Sequence, residues 1–349
     1  MVNQHGKKVS TKARLIMALR EQAGRPISGS VLASAIGVSR VAVWKGIQSL
    51  LEAGYPIETA DSGYALDLGK PCDFLYPWEF GEQETMFRHY DKTTSTMDNA
   101  RELAFQGSAA CTVITAERQR AGRGRNGRTW ASRQGGLFCT ILERPNLTLA
   151  DYQQAVMVFQ IAVARALGHF CGKPARLRWP NDIYIDQRKI AGVMAELEGE
   201  GDSVTWLATG IGVNVNNHAP SQKAASCAGI AGHPISRRDV LLRILDEVEK
   251  VRGQTSSGMA YAQGNRLLAA EWNSLADCIG AKLAVIYSGF EDSSMDGVGG
   301  DSSRKVLARG IFAGIDPSGR CIIKSAHGNH GKDTLYFNPG PISLMFLSQ

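Results

Sequence analysis

The chain has 349 residues, is 44% hydrophobic and 21% charged, and carries a net charge of +6, which describes an ordinary globular protein with room for two or three domains. That charge permits nucleic-acid or phosphate partners without demanding them. Seven cysteines, odd in number and scattered without a C-x-x-C or a zinc-ligand spacing to histidine, argue against a disulfide framework or structural metal and for a reducing cytoplasm. The first apolar run, Leu15 to Leu19, is too short for a signal-peptide core, and no stretch approaches the ~20 apolar residues of a membrane span; a cytoplasmic protein with no membrane partner is expected.

Residues 1–68 read as a winged helix-turn-helix domain. Leu15, Ile16 and Leu19 recur at helical spacing, and SGSVLASAIGVSRVAVWKGIQSLLEAG follows as helix, turn at Gly37, helix. Ser39 can cap the second of these helices, while Val43, Ile47 and Leu50 share one face. Arg40, Lys45 and Gln48 are left to face outward, and YPIETADSGYAL reads as two short strands about a D-S-G turn, a wing. In this motif the second helix enters the DNA major groove, which makes Ser39, Arg40, Lys45 and Gln48 the candidate DNA contacts. A plain interaction module is the alternative. Gly46, inside that helix, costs about 1 kcal/mol of helix propensity.

A linker rich in proline and aromatics occupies residues 69–82 and leads into a central region at 83–276. Its strand-like runs are CTVITAE, GLFCTIL, ARLRWP, DIYIDQRKIAGVMAELE and SVTWLATGIGVNVN; its clearest helices are Asp98 to Gln106, Tyr152 to Phe170 and Ser236 to Val251. Strands in adjacent groups predict an α+β domain whose mixed sheet carries helices on one side.

Within this region AGRGRNGRTW places Gly122, Gly124 and Gly127 in the G-x-G-x-x-G spacing of a dinucleotide loop. That device needs a helix after the glycines, and LFCTIL, a β-prone run, stands there instead. What the loop offers is four arginines, Arg120, Arg123, Arg125 and Arg128, among glycines and closed by Trp130, which is chemistry for an anion. A solvated basic loop is the plainer alternative. Further on, Pro180 sets a bend, Asn181 and Asp182 put polar groups at a strand start, and Lys189 precedes the small pair Ala191 and Gly192, where a ligand can approach closely.

From residue 277 to 349 short strands joined by glycine-rich turns predict a small SH3-like β-barrel, interrupted at about 289–305 by a Gly/Ser/Asp-rich loop expected to be mobile.

Four segments, TTSTMDNA, ERQRAGRGRNGRTW, RWPNDIYIDQRKIAGVMAE and GIGVNVN, stand in an order and spacing that closely resembles the biotin protein ligase family, together with the G-I-D-x-x-G sequence from Gly314 to Gly319. The N-terminal domain makes the resemblance one to its bifunctional members, the biotin operon repressors, and it spans nearly the whole chain. It implies a two-step activity: biotin and Mg-ATP form biotinyl-5′-AMP and pyrophosphate, and a lysine of the biotin carboxyl carrier protein of acetyl-CoA carboxylase then attacks the mixed anhydride. By the same resemblance Gly122, Arg123, Gly124, Arg125 and Arg128 fold over the ligand, and Trp130 gives adenine an apolar surface. Ser95, Thr96 and Gln119 match positions at the biotin ureido ring. Lys189, beside Gly192, matches the lysine at the biotin carboxyl and α-phosphate; Asn181 and Asp182 match the adenylate and metal side, and Asn214 matches an asparagine near the pocket. Lys189, Arg125 and Asp182 are therefore the candidate catalytic residues, with magnesium arriving on ATP near Asp182 and no metal held by the protein alone. Operator DNA and a ligand-promoted homodimer are the further implied partners, biotinyl-5′-AMP acting as corepressor. Three departures stand out: Arg178 replaces the usual lysine before W-P-N-D, STMDNA replaces the more usual S-T-N, and the C-terminal part carries the extra Gly/Ser/Asp loop at about 289–305 and ends in NPGPISLMFL in place of a more acidic version. A biotin-sensing DNA-binding regulator without ligase activity, or a ligase with a non-regulatory N-terminal domain, are the alternatives.

Overall fold

The computed structural model describes residues 9–108, 111–256, 261–287, 305–325 and 334–347. Three helices open the chain: α1 (Thr11–Glu21), α2 (Gly29–Ile36) and α3 (Arg40–Glu52). Each begins at a serine, Ser10, Ser28 or Ser39, whose hydroxyl accepts a hydrogen bond from the backbone N–H three residues on, so the first-turn donors are satisfied locally. Gly37, at φ 65°, ends α2 in the left-handed conformation. Strands β1 (Ile57–Ala60) and β2 (Gly63–Leu66) pair antiparallel as the expected wing. Leu15, Ile16, Leu19, Leu32, Val43, Ile47 and Leu50 make the core. Gly46, which reads in the sequence as a weak point of α3, is where α1 crosses: a Cβ there would overlap the Leu15 side chain, so the helix gives up propensity for closer packing.

The stretch from 69 onward is folded against this domain. Phe74, Tyr76 and Trp78 pack on its core, with Tyr55–Phe74 and Tyr76–Trp78 ring centroids 4.6 Å apart. A 3₁₀ segment over Pro77–Met86 then buries Glu79, whose carboxylate accepts the Tyr55 hydroxyl and pairs with Arg20 at 2.6 Å. Burial and the neighbouring carboxylate push the Tyr55 phenol up, which keeps it a donor. Arg238, from the central domain, donates to the Glu79 carbonyl at 2.7 Å, and its neighbour Arg237 is held by Asp73 at 2.8 Å and Glu117 at 2.8 Å. These residues form a strut between the two parts of the molecule.

The central domain contains β3 (Phe87–Thr93), α4 (Thr96–Phe105), β4 (Thr112–Gln119), β5 (Leu137–Glu143), α5 (Tyr152–Cys171), β6 (Arg176–Arg178), β7 (Asp182–Ile185), β8 (Arg188–Glu200), β9 (Ser203–Val213), α6 (Cys227–Ala231), α7 (Arg237–Ser256) and α8 (Tyr261–Leu275). Its seven strands lie in the order β3-β4-β5-β9-β8-β7-β6, antiparallel except for β3 with β4, which is the expected mixed sheet. Residues of α5, α7 and α8 share one core with Val113, Leu137, Cys139 and Ile141 of the sheet. The expectation of helices on one side only is corrected by α4: Met97, Ala100 and Ala104 pack on the opposite face, against Ile114, Leu142 and Trp206. The alternation of strand side chains between faces supplies both surfaces. By length and composition α5 could cross a membrane, contrary to the sequence reading, but 72% of its apolar window is buried inside the protein, as befits a core helix.

The C-terminal part holds β10 (Lys282–Tyr287), β11 (Val306–Ile315), β12 (Cys321–Lys324), β13 (Thr334–Phe337) and β14 (Ile342–Phe346), an antiparallel sheet of order β13-β12-β11-β10-β14. Among the described residues the pattern is this sheet; closure into an SH3-like barrel is not part of it. The expected loop at about 289–305 lies outside the described residues apart from Lys305. The Gly314–Gly319 turn docks the sheet on the central domain: Asn273 brackets Ile315 with bonds of 2.8 and 3.0 Å, and the Trp179 indole donates to the Gly319 carbonyl at 3.1 Å. Arg178, the departure noted above, joins the same seam by pairing with Asp277 and lying over the Tyr184 ring.

Glu79→Ala leaves the Tyr55 hydroxyl and the Arg20 guanidinium without their shared acceptor, and loss of one partner of a buried pair costs about 3 kcal/mol. Chemical denaturation of the full chain checks this; a loss below about 1 kcal/mol would show that the strut does not hold the N-terminal domain.

Candidate active site

The floor of the candidate site is a pair of glycines. Strands β8 and β9 bring Gly192 opposite Gly212 and Met194 opposite Gly210, and residues two apart on a strand share a face. With no side chains there, the Trp130 indole lies directly on the sheet: a Cβ on Gly212 would stand 2.6 Å from its Cε2, and one on Gly192 3.2 Å from its Cζ3. At the next rung a Cβ on Gly210 would meet the Met97 sulfur at 2.6 Å.

The arginine loop reaches this floor as a small hairpin. The Trp130 N–H donates to the Gly122 carbonyl at 2.8 Å and the Gly124 N–H to the Arg128 carbonyl at 2.7 Å, with the reversal at Asn126 (φ 56°) and Gly127 (φ 73°). Hairpin geometry, with no helix after the glycines, agrees with the rejection of a dinucleotide loop. Gly122 sits behind the hairpin, where a Cβ would press on the Ser132 hydroxyl and the Trp130 carbonyl, so its contribution is backbone shape.

The loop's guanidiniums go to different places. Arg123 is held by Asp98 at 2.7 Å and Glu196 at 3.1 Å, and Arg101 shares that Glu196 at 2.5 Å. Arg125 donates to the Gly340 carbonyl of the C-terminal sheet at 2.6 Å; burial pulls its pKa down from the ordinary guanidinium value while Asp182 opposes the shift, and it remains a cation at any working pH. Arg128 is exposed at the hairpin.

Across the cleft Lys189 pairs with Asp182 at 2.6 Å, its ammonium 5.3 Å from the centre of the Trp130 ring. Both stand on the β7–β8 hairpin, where a bulge between Ile183 and Tyr184 turns them together, and the backbone of Lys189 is clamped by Lys223 and Ala225 at 2.9 Å each. Asn181 precedes β7 and its carbonyl accepts from the Val193 N–H at 2.9 Å. At the far end Ser95 caps α4, and the Gln119 side chain accepts from the Thr96 N–H at 2.8 Å while donating to Ser132 at 2.8 Å.

One cleft is thus lined by Ser95, Thr96 and Gln119 at one end, by Arg123, Gly124, Arg125, Arg128 and Trp130 from the hairpin, and by Asn181, Asp182, Lys189 and Gly192 at the other. Asn214 is not in it. That residue is buried, accepts from the Asn217 amide at 2.9 Å, and lines an adjoining pocket that shares Thr129, Trp130 and Lys189. Met97, Cys139, Met194, Gly210 and Gly212 line the cleft and were not singled out by sequence reasoning; the period-two glycines of G-I-G were the available signal.

Four cations and a single carboxylate, Asp182, face the cleft. That balance suits a polyanion with an apolar ring system, and it suits magnesium brought by phosphates, since magnesium keeps substrate oxygens and waters and needs one or two carboxylates. Among the described residues no group of three or more His, Cys, Asp or Glu could hold a metal unaided.

In the N-terminal domain Ser39 spends its hydroxyl on the Ala42 N–H at 3.2 Å, while Arg40 and Lys45 are exposed and Gln48 half-exposed on the outward side of α3. Val41 and Trp44, 63% and 54% exposed, stand among them and were missed because apolar residues on a helix read as core.

Comparison with known proteins agrees with this layout. Residues 90–216 match the biotin/lipoate A/B protein ligase family and residues 12–65 an HTH domain. The bifunctional ligase/repressor BirA of Bacillus subtilis is 35% identical over 255 residues, 69% of this chain and 78% of that protein. A biotin–[acetyl-CoA-carboxylase] ligase of Paracoccus denitrificans is 30% identical over 247 residues, 68% of this chain and 93% of its own. Among solved structures, a biotin protein ligase from Aquifex aeolicus in complex with biotin and ATP shares the fold, with a TM-score of 0.57 at 24% identity over 75% of this chain and 99% of that one.

Gly212→Ala forces the indole off the sheet, an overpacking worth about 1–3 kcal/mol. Tryptic cleavage after the hairpin arginines is expected to rise about tenfold or more. An unchanged cleavage rate would mean that Trp130 does not anchor the hairpin.

Proposed function

Because the chain belongs to the biotin/lipoate A/B protein ligase family, we propose that it activates biotin with ATP to biotinyl-5′-AMP, transfers the biotinyl group to a lysine of a biotin carboxyl carrier protein, and represses biotin-synthesis genes when loaded with the adenylate. The observation that carries the reading is the cleft itself: Lys189, Asp182 and Arg125 converge beside an aromatic ring bedded on glycines, at the meeting point of the hairpin, the sheet and the C-terminal part.

In the first half-reaction a biotin carboxylate oxygen attacks the α-phosphorus of ATP, and the P–O bond to pyrophosphate breaks. Lys189, on a clamped backbone, places a cation where the carboxylate and the α-phosphate would otherwise repel each other. Arg125 adds a second, partly desolvated cation from the hairpin. Trp130 offers a flat apolar face for the purine, and Ser95, Thr96 and Gln119, with Gln119 bonded to Thr96 and Ser132, form the polar end proposed for the ureido ring. Asn181 borders the adenylate side. Magnesium would arrive with ATP and screen phosphate charge, and Asp182 is the cleft carboxylate that would hold it. In the second half-reaction the carrier lysine amine attacks the acyl carbon, its proton passes to a base, and AMP leaves. Asp182, the carboxylate lining the cleft, is the group proposed to orient the incoming amine and take that proton once its pairing with Lys189 is exchanged.

Arg40, Lys45 and Gln48 on α3 are the proposed contacts to operator DNA, with Ser39 contributing as the helix cap that aims them. A homodimer promoted by the adenylate would present two such helices to a palindromic site, and a cytoplasmic location follows from the substrates.

The test is biotin- and ATP-dependent incorporation of label into purified carrier domain, run beside a duplex-DNA shift with and without preformed biotinyl-5′-AMP. Both signals are expected; a shift without transfer would make the chain a regulator only, and transfer without a shift a ligase with an unrelated N-terminal domain. Lys189→Ala is expected to lower pyrophosphate release by at least about a hundredfold with the thermal midpoint retained. Near-normal turnover would remove Lys189 from the chemistry.

A further inference from the structure

The outward face of α3 is not simply basic. Val41 and Trp44 are 63% and 54% exposed, one turn apart, with Lys45 and Gln48 continuing the same face, while Val43, Ile47 and Leu50 are buried on the other side. A single exposed apolar residue is ordinary. Two together in the first turns of a recognition helix, next to the cation Arg40, are a surface with a chemistry of its own. They also border a groove shared with Thr59, Ala60 and Tyr64 of the wing, which places the patch on the side of α3 that faces the wing.

We propose that Val41 and Trp44 are specificity-determining residues that read thymine 5-methyl groups in the major groove of the bound duplex. The inference rests on the DNA-binding reading above and adds what kind of base α3 selects. Residues near the start of a recognition helix are the ones that reach base edges. The apolar group that base edges present in the major groove is the thymine methyl; the rest are hydrogen-bond donors and acceptors, which neither valine nor an indole face satisfies. Arg40 and Lys45, both exposed beside the patch, provide the charge complementary to phosphates, which favours duplex DNA over an apolar protein surface as the occupant. The acidic Asp61 at the wing turn also borders the groove and would repel a phosphate brought too near, so the duplex must approach from the helix side.

The probe is the tightest duplex selected by the full chain from a randomised duplex library in the presence of biotinyl-5′-AMP, resynthesised with deoxyuridine in place of thymidine at one position at a time. That change deletes the 5-methyl and keeps the hydrogen-bonding edge. At the thymines under the patch the wild-type chain is expected to lose about fourfold in affinity per methyl, the equivalent of about 0.8 kcal/mol for one buried methyl-sized group. Val41→Ala or Trp44→Ala abolishes that difference at its own position, whereas Arg40→Ala weakens both duplexes alike. Both apolar side chains are exposed, so unfolding midpoints match the wild type. Methyl sensitivity that is absent in the wild type, or unchanged in both variants, overturns the assignment while DNA binding stands. Selection that enriches no duplex overturns the DNA-binding reading and this inference with it.

Discussion

The closest approach on which the candidate site depends is that of the Trp130 indole to the backbone of β8 and β9, allowed because Gly192 and Gly212 face each other across the two strands. A methyl group at Gly212 would lift the ring, and with it the end of the hairpin that carries Arg123, Arg125 and Arg128, while one at Gly192 would press on the ring edge. The hairpin in turn decides how far the guanidiniums reach: Arg125 extends to the C-terminal sheet and Arg123 back to α4 and β8. A missing side chain, set by strand register, thus positions charges about a hairpin's length away.

Electrostatics follow the same economy. The cleft has a surplus of cations, yet two of them are held by carboxylates: Lys189 by Asp182 and Arg123 by Asp98 and Glu196. Such pairs cost little to exchange because they are only partly buried, and they hold each long side chain near one geometry before an anion arrives. Arg125 has a carbonyl as its hydrogen-bond partner in place of a carboxylate. Pairing therefore distinguishes the carboxylate-braced Arg123 from the carbonyl-bonded Arg125 within a single run of sequence.

The two ends of the molecule are joined to this site by ordered contacts. Glu79 draws Tyr55, Arg20 and Arg238 together, and Arg237 reaches from the strut to Glu117, two residues before Gln119 in the cleft. On the other side Asn273 and Trp179 hold the Gly314–Gly319 turn. A winged helix carried on such a strut has a defined orientation relative to the sheet, which is what a protein answering a bound ligand with its DNA-binding face requires.

Local chemistry was legible in the sequence. The Ser39 cap, the Gly37 turn, the wing, the arginine loop with its tryptophan, and the W-P-N-D and K-x-A-G segments all declare themselves over a few residues, because capping, turn formation and charge are short-range properties. Family membership follows from those same segments. Other features became visible only in the tertiary structure. Gly212 matters because of Gly192 across the strand and Trp130 above it; Gly46 matters because Leu15 crosses there; α4 covers the second face of the sheet; Asn214 falls into the neighbouring pocket; and Val41 and Trp44 stay in solvent although their residue types suggest a core. Each of these depends on which distant residue stands opposite, and strand register and helix crossing, set by packing of the whole chain, decide that.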